Sequence, residues 1–146
     1  MIKHIISYLK TQSGVTAIVG TRPVSIFPHD VPKKMNTVSG LPKDVTVPYI
    51  IIEKRGGEAV RGMEGRTGVR EMNFLVEAVS DSIRVAEALY EALIASLDSK
   101  AHVKWDGIEV QYSELSEGAD TSIPATDGAQ DSLKVFAGSL FVRVNI

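Results

Sequence analysis

The 146-residue chain contains no cysteine. That absence excludes disulfide scaffolds, zinc-thiolate sites and cysteine nucleophiles together, so the fold must stand on packing alone. An excess of either charge is missing as well: sixteen Lys plus Arg stand against eighteen Asp plus Glu, a formal charge of -2. A protein whose affinity comes from phosphate contacts needs a basic surplus, so non-specific nucleic-acid binding is disfavoured. No uncharged apolar run approaches the roughly 18 to 20 residues that a membrane-spanning helix requires. Lys3 and His4 interrupt what would be the apolar centre of a signal sequence, and no small-residue cleavage pattern follows them. The N-terminus therefore reads as mature protein, cytosolic at synthesis.

Catalytic and cofactor motifs are also scarce. The stretch "RGGEAVRGMEGRTGVRE" (55–71) suggests a phosphate-cradling loop, but Met63 stands where a Walker loop needs Lys, and a strand pattern follows where a helix should. G-x-G-x-x-G and G-x-S-x-G do not occur, and His4, His29 and His102 lie far apart without metal-ligand spacing. The acids Glu114, Glu117, Asp120, Asp127 and Asp131 lie in a segment free of Lys and Arg, but too far apart for a calcium loop. They read as a solvated acidic loop, or as an electronegative surface that repels DNA or meets a basic partner. Catalytic, cofactor and metal residues are accordingly expected to be none.

What is present is the pattern of an ordinary globular domain, with 44% hydrophobic and 23% charged residues. Ile2, Ile5, Ile6 and Leu9 recur at helical spacing, with Gly14 as the expected stop, and "VTAIVG" adds a short turn closed by Gly20. "TRPVSIF" is extended. Residues 28 to 47 form a long connection with three prolines and room for a short extended piece. "PYIIIEK" (48–54) and "REMNFLVEAV" (70–79) read as paired strands joined by the Gly-rich stretch, whose glycines serve turns. Ser80 or Asp81 can cap a helix with the stripe Ile83, Ala86, Leu89, Tyr90, Leu93 and Leu97. Asp106-Gly107 turns two short strands, residues 116 to 131 have turn composition, and "SLKVFAGSLFVRVNI" is a closing strand with Phe136, Leu140, Val142 and Val144 on one face. Trp105, Tyr112, Phe136 and Phe141 are expected in the core or in cross-strand pairs. The sum is one α+β domain over residues 1–146: a mostly antiparallel sheet, two main helices on one face, and a projecting long β-hairpin and long loop.

The succession "AIVGTRPVSIFP", "VPYIIIEKRGGE", "GRTGVREMNFLVEAVS", "IRVAEALYEALIASL" and "SLKVFAGSLFVRV" resembles the tail completion, or tail terminator, proteins of long-tailed bacteriophages. The likeness covers nearly the whole chain and lies in order and spacing, since no single motif is specific. The chain departs from the family pattern at "KKMNTVSGLPKDVTV" (33–47), which lengthens a connection. The resemblance implies a non-catalytic subunit of a hexameric ring at the head-proximal end of the tail tube, made in the bacterial host cytoplasm. Its partners would be copies of itself, the major tail tube protein and a head completion or connector protein, with DNA passing through unbound. On that reading Arg61, Glu64, Arg66 and Arg70 on the hairpin, and Lys33, Lys34, Lys43 and Asp44 in the long loop, are expected subunit or tail-tube contacts. Asp120, Asp127 and Asp131 are expected to face the lumen. Two alternatives remain open: a small enzyme or ligand-binding domain using the hairpin as a lid, and a connector or minor tail protein elsewhere in the same particle.

Overall fold

The opening helix shows why this chain builds inward from its N-terminus. In α1 (Ile2–Lys10), Ile5, Ile6 and Leu9 fall on one side and are buried, while Lys3 and Lys10 stay in water. The Tyr8 ring stacks on Trp105 with centroids 5.1 Å apart, and its hydroxyl donates to the Ser96 carbonyl at 3.0 Å. Trp105 itself is fully buried. Gly14 does not end this helix. α1 stops at the Thr11 cap, where the Thr11 hydroxyl also bonds the Tyr8 carbonyl, and Gly14 lies inside α2 (Ser13–Val19). α2 does close at Gly20, whose φ of 86° favours glycine.

The computed structural model describes residues 1–20, 25–29, 34–36, 42–44, 47–62, 65–117, 119–123 and 133–145. Nine strands are present among them: β1 (Ile26–Pro28), β2 (Lys34–Asn36), β3 (Pro42–Asp44), β4 (Tyr49–Gly62), β5 (Gly65–Ser80), β6 (Lys100–Trp105), β7 (Ile108–Leu115), β8 (Ala119–Ile123) and β9 (Leu133–Asn145). The main sheet runs β1-β4-β5-β9-β7-β6, with β8 also paired to β9, and β2 pairs β3 separately. All neighbours are antiparallel except β1, which lies parallel to β4. The architecture is α+β, as the sequence pattern predicts. Within the long connection, the two short strands β2 and β3 take the place of the single extended piece expected there.

The third helix, α3 (Ile83–Leu97), buries Ala86, Leu89, Tyr90, Leu93 and Leu97. Two details differ from expectation. The N-cap is Ser82, and Ser80 serves it from outside by accepting the Ser82 backbone N–H at 3.2 Å. Ile83 leaves the stripe and is 38% exposed. At the other end, the Ser113 hydroxyl donates to the Leu97 carbonyl at 2.6 Å and Asp98 accepts the Leu115 N–H at 2.8 Å, which locks the helix terminus to β7.

Strand period two then puts Ile50 and Ile52 of β4, Met72, Phe74, Val76 and Ala78 of β5, and Leu140, Val142 and Val144 of β9 on the face that the helices cover. These residues form one buried cluster with α1, α2 and α3. The segment after Leu115 is a correction: 119–123 is strand β8, where the sequence offers only turn composition. β7 and β8 succeed each other along the same side of β9, interrupted near Ser116. There the Tyr90 hydroxyl donates to the Ser116 carbonyl at 2.7 Å and the Ser116 hydroxyl accepts the Ser139 N–H at 2.9 Å. Gly138 is required by this arrangement, because a Cβ there would meet the Tyr90 hydroxyl and come within 2.8 Å of the Ser116 Oγ. Burial, partly offset by the Ser116 hydrogen bond, raises the Tyr90 pKa to about 12.

Candidate functional site

The most distinctive region is the outer part of the β4–β5 hairpin. β1 accompanies β4 only to Ile52, and β9 accompanies β5 only from Val69. Beyond those points, among the described residues, the two strands pair only with each other, out to Gly62 opposite Gly65. The Gly-rich stretch is thus continuous strand on both sides, and most of its glycines do not serve turns. Of its described glycines only Gly68 has positive φ, at 82°. Gly57 is needed for close approach instead: a Cβ there would lie 2.8 Å from Met72 Cγ and 3.0 Å from the Glu71 carbonyl oxygen.

Register shifts between Lys54 and Gly56 and between Ala59 and Arg61 set which side chains face which way. Lys54 sits opposite Phe74 in the register that precedes the first shift, and that shift sets Gly57 opposite Met72, both on the helix-covered side. Arg70, opposite the buried Val144, continues the same side. Lys54 and Arg70 therefore extend the core face past the end of the helices, where they meet Lys3 of α1 around a cleft of about 290 Å³ floored by Met72 and Phe74. The convergence is felt at the Met1 amino group. Burial first, then the like charges of Lys54, Lys3 and Arg70, hold it below its ordinary value of 8.0.

Among the described residues, the opposite face of the sheet carries no helix and is mixed. Tyr112 and Phe141 pair across β7 and β9 with ring centroids 6.4 Å apart. Arg143 reaches Glu71 at 3.5 Å and donates from Nε to Gln111 at 3.1 Å. Glu77 lies near Glu53, which pairs with Arg55 at 3.4 Å. Partial burial and the Glu53 charge raise the Glu77 pKa, and Arg55 opposes them.

The residues singled out from sequence divide accordingly. Arg61 and Arg66 are register partners at the hairpin end, and Arg70 lines the cleft at its base. Lys34 is opposite Asp44, and Lys43 opposite Met35, in the β2–β3 pair, an arrangement that sets one opposite-charge register position. Asp120 is on β8 opposite Phe136. Glu64, Lys33, Asp127 and Asp131 lie outside the described residues. Sequence reasoning missed Lys3 and Lys54. The signal available was parity: Lys54 follows Ile50 and Ile52 at period two and so falls on the core side.

Among the described residues, no group of three or more His, Asp or Glu is placed to hold a metal ion. His4 contacts Asp106 at 3.1 Å. No described helix is long and apolar enough to cross a membrane.

Comparison with known proteins gives likeness of fold. No family model matches the chain. No curated protein matches it. Among solved structures, a chain from the virion of a native gene transfer agent particle superposes with a TM-score of 0.60 at 13% identity, covering 97% of this chain and 92% of that one. A second solved chain superposes with a TM-score of 0.51 at 18% identity, covering 97% and 95%. The shared fold therefore extends over essentially the whole of each molecule.

Proposed function

We propose that the chain is a structural component of a phage or prophage particle, a tail completion protein. It assembles as a ring, hexameric in the finished particle, on the head-proximal end of the tail tube, ends tail polymerisation and presents the surface to which the head joins. The observation that carries this reading is the end-to-end fold likeness to a chain of a virion. The order of elements that resembles the tail terminator family supports it independently.

The physical features suit the role. A ring subunit needs a rigid body and a part that engages neighbours, and here a helix-covered sheet bears a hairpin extending past its own neighbours. Its partners are copies of itself, the major tail tube protein and a head completion or connector protein. DNA passes through without specific binding, as suits a subunit with net charge -2. No catalysis is part of this proposal. The test is electron microscopy of purified tails together with deletion of the gene. Density for this chain at the head-proximal end, and tails of uncontrolled length or unjoined heads and tails after deletion, are the expected results. Density at another position of the particle would make it a connector or minor tail protein; no density at all would sink the proposal.

A further inference from the structure

The helix-covered side of the sheet carries a cleft at each end, and the two are opposite in charge. At the hairpin end lies the basic cleft bounded by Lys3, Lys54 and Arg70 over Met72 and Phe74, about 290 Å³ in volume. At the other end, the outer surface of α3 and the end of β7 bound an acidic one of about 260 Å³, where Glu87, Glu91 and Glu117 surround Tyr90, Ile94 and Phe136. All six charged side chains are exposed. None of them takes part in an ion pair among the described residues.

Within one molecule the two sets cannot satisfy each other. Arg70 is opposite Val144 and Phe136 lies eight residues earlier on β9 (144 - 136), a separation of roughly 26 Å at the rise of a strand. Glu87 and Glu91, one turn apart on α3, form a ridge with apolar neighbours that fits a groove with an apolar floor and cationic rim.

We propose that the basic cleft of one copy receives the Glu87–Glu91 ridge, with Glu117 beside it, of a second copy of this chain. The contact is heterologous: each molecule uses its hairpin end on one neighbour and its α3 end on the next. This step rests on the ring reading, which requires a contact used head to tail; two molecules related by a twofold axis could satisfy the same charges only as a closed pair. Charges at the rim set register and partner choice, while the half-buried Met1 and Ile2 of the basic cleft and Ile94 and Phe136 of the acidic one supply apolar surface.

Sedimentation of the full chain against concentration tests this with two charge reversals, Lys54→Glu with Arg70→Glu, and Glu87→Lys with Glu91→Lys. Wild type is expected to grow past two copies with rising concentration. Each reversal alone is expected to weaken that association at least about tenfold, because like charges then face each other. An equimolar mixture of the two reversals is expected to regain it, since each restores opposite charge at the other's cleft. If both reversals associate like wild type, the contact is elsewhere and the ring reading stands. If wild type remains single, or stops at two copies, the head-to-tail contact in solution is overturned, while the ring on the tail tube stands or falls separately with the electron microscopy of tails. Should a reversal fail to fold by circular dichroism, the wild type decides alone: association unchanged between low salt and about 1 M salt, where the screening length is only ~3 Å, overturns the proposal.

Discussion

The body of the molecule and its hairpin arm are made from the same two strands, yet they are held by different physics. Near Phe74, β5 is flanked by β4 and β9 and covered by helices, and its side chain is 1% exposed. At its outer end, from Gly65 to Gly68, the strand pairs among the described residues with β4 alone, and two-stranded ribbons are marginal in water without such cover. One part of the hairpin is therefore specified by burial. The other is specified by backbone pairing between β4 and β5.

That contrast can be broken most forcefully from the body. Phe74→Ala removes a fully buried ring between sheet and helices and is expected to cost about 3–5 kcal/mol, read as a shifted midpoint in urea unfolding. A loss no larger than for an arm substitution would erase the distinction. Next in size, Gly138→Ala sets a methyl group against the Tyr90 hydroxyl and Ser116, with an expected loss of about 1–3 kcal/mol. Combining it with Tyr90→Phe should cost less than the sum of the two, since the residues share one close contact; strict additivity would refute the steric account.

The third expectation concerns alkaline pH. Tyr90 is held protonated in the folded state to about pH 12 against 10.0 for the ordinary group. Between those values the unfolded chain releases a proton that the folded chain keeps, so stability falls as pH rises. Its contribution is complete below pH 10.0 and lost by about pH 12, and Tyr90→Phe should flatten the decline over that window. The smallest effect on stability belongs to the arm. Replacing residues 61–66 by an Asn-Gly turn should leave the unfolding free energy within about 0.5 kcal/mol of wild type, while removing Arg61, Glu64 and Arg66. If the arm engages neighbours as proposed, tail completion fails although the melting curve does not move; a large drop in melting temperature would show that the arm is part of the body.

The legibility of the chain follows the same division. Where side chains decide the structure by burial, the period shows through: the α1 stripe, the α3 stripe from Ala86 to Leu97, and the alternation in β5 and β9 were all readable. So was the Asp106-Gly107 turn, whose residues take positive φ of 48° and 83°. Where the backbone decides, the period fails. β8 has polar, turn-like composition and is a strand because β9 offers it an edge beside β7. The glycines of the arm suggest turns, but a ladder needs only donors and acceptors, and Gly57 is fitted to Met72 by proximity. Among the candidate contacts, Arg70 was visible as a charge, but its convergence with Lys3 and Lys54 was not, because those residues are distant in sequence.

The class of fold, the absence of thiol chemistry, the near-neutral charge and the location of the main helices and strands are legible in the residues alone, because composition and periodicity are local properties that burial imprints on the chain. That β1 lies parallel to β4, that the arm continues the sheet past its other described strands, and that three cations gather at one end of the covered face and three carboxylates at the other, emerges with the folded chain alone. Those depend on register and on which strands become neighbours. A single residue of slip would send every side chain of a strand to the opposite face, and nothing local in the sequence records that choice.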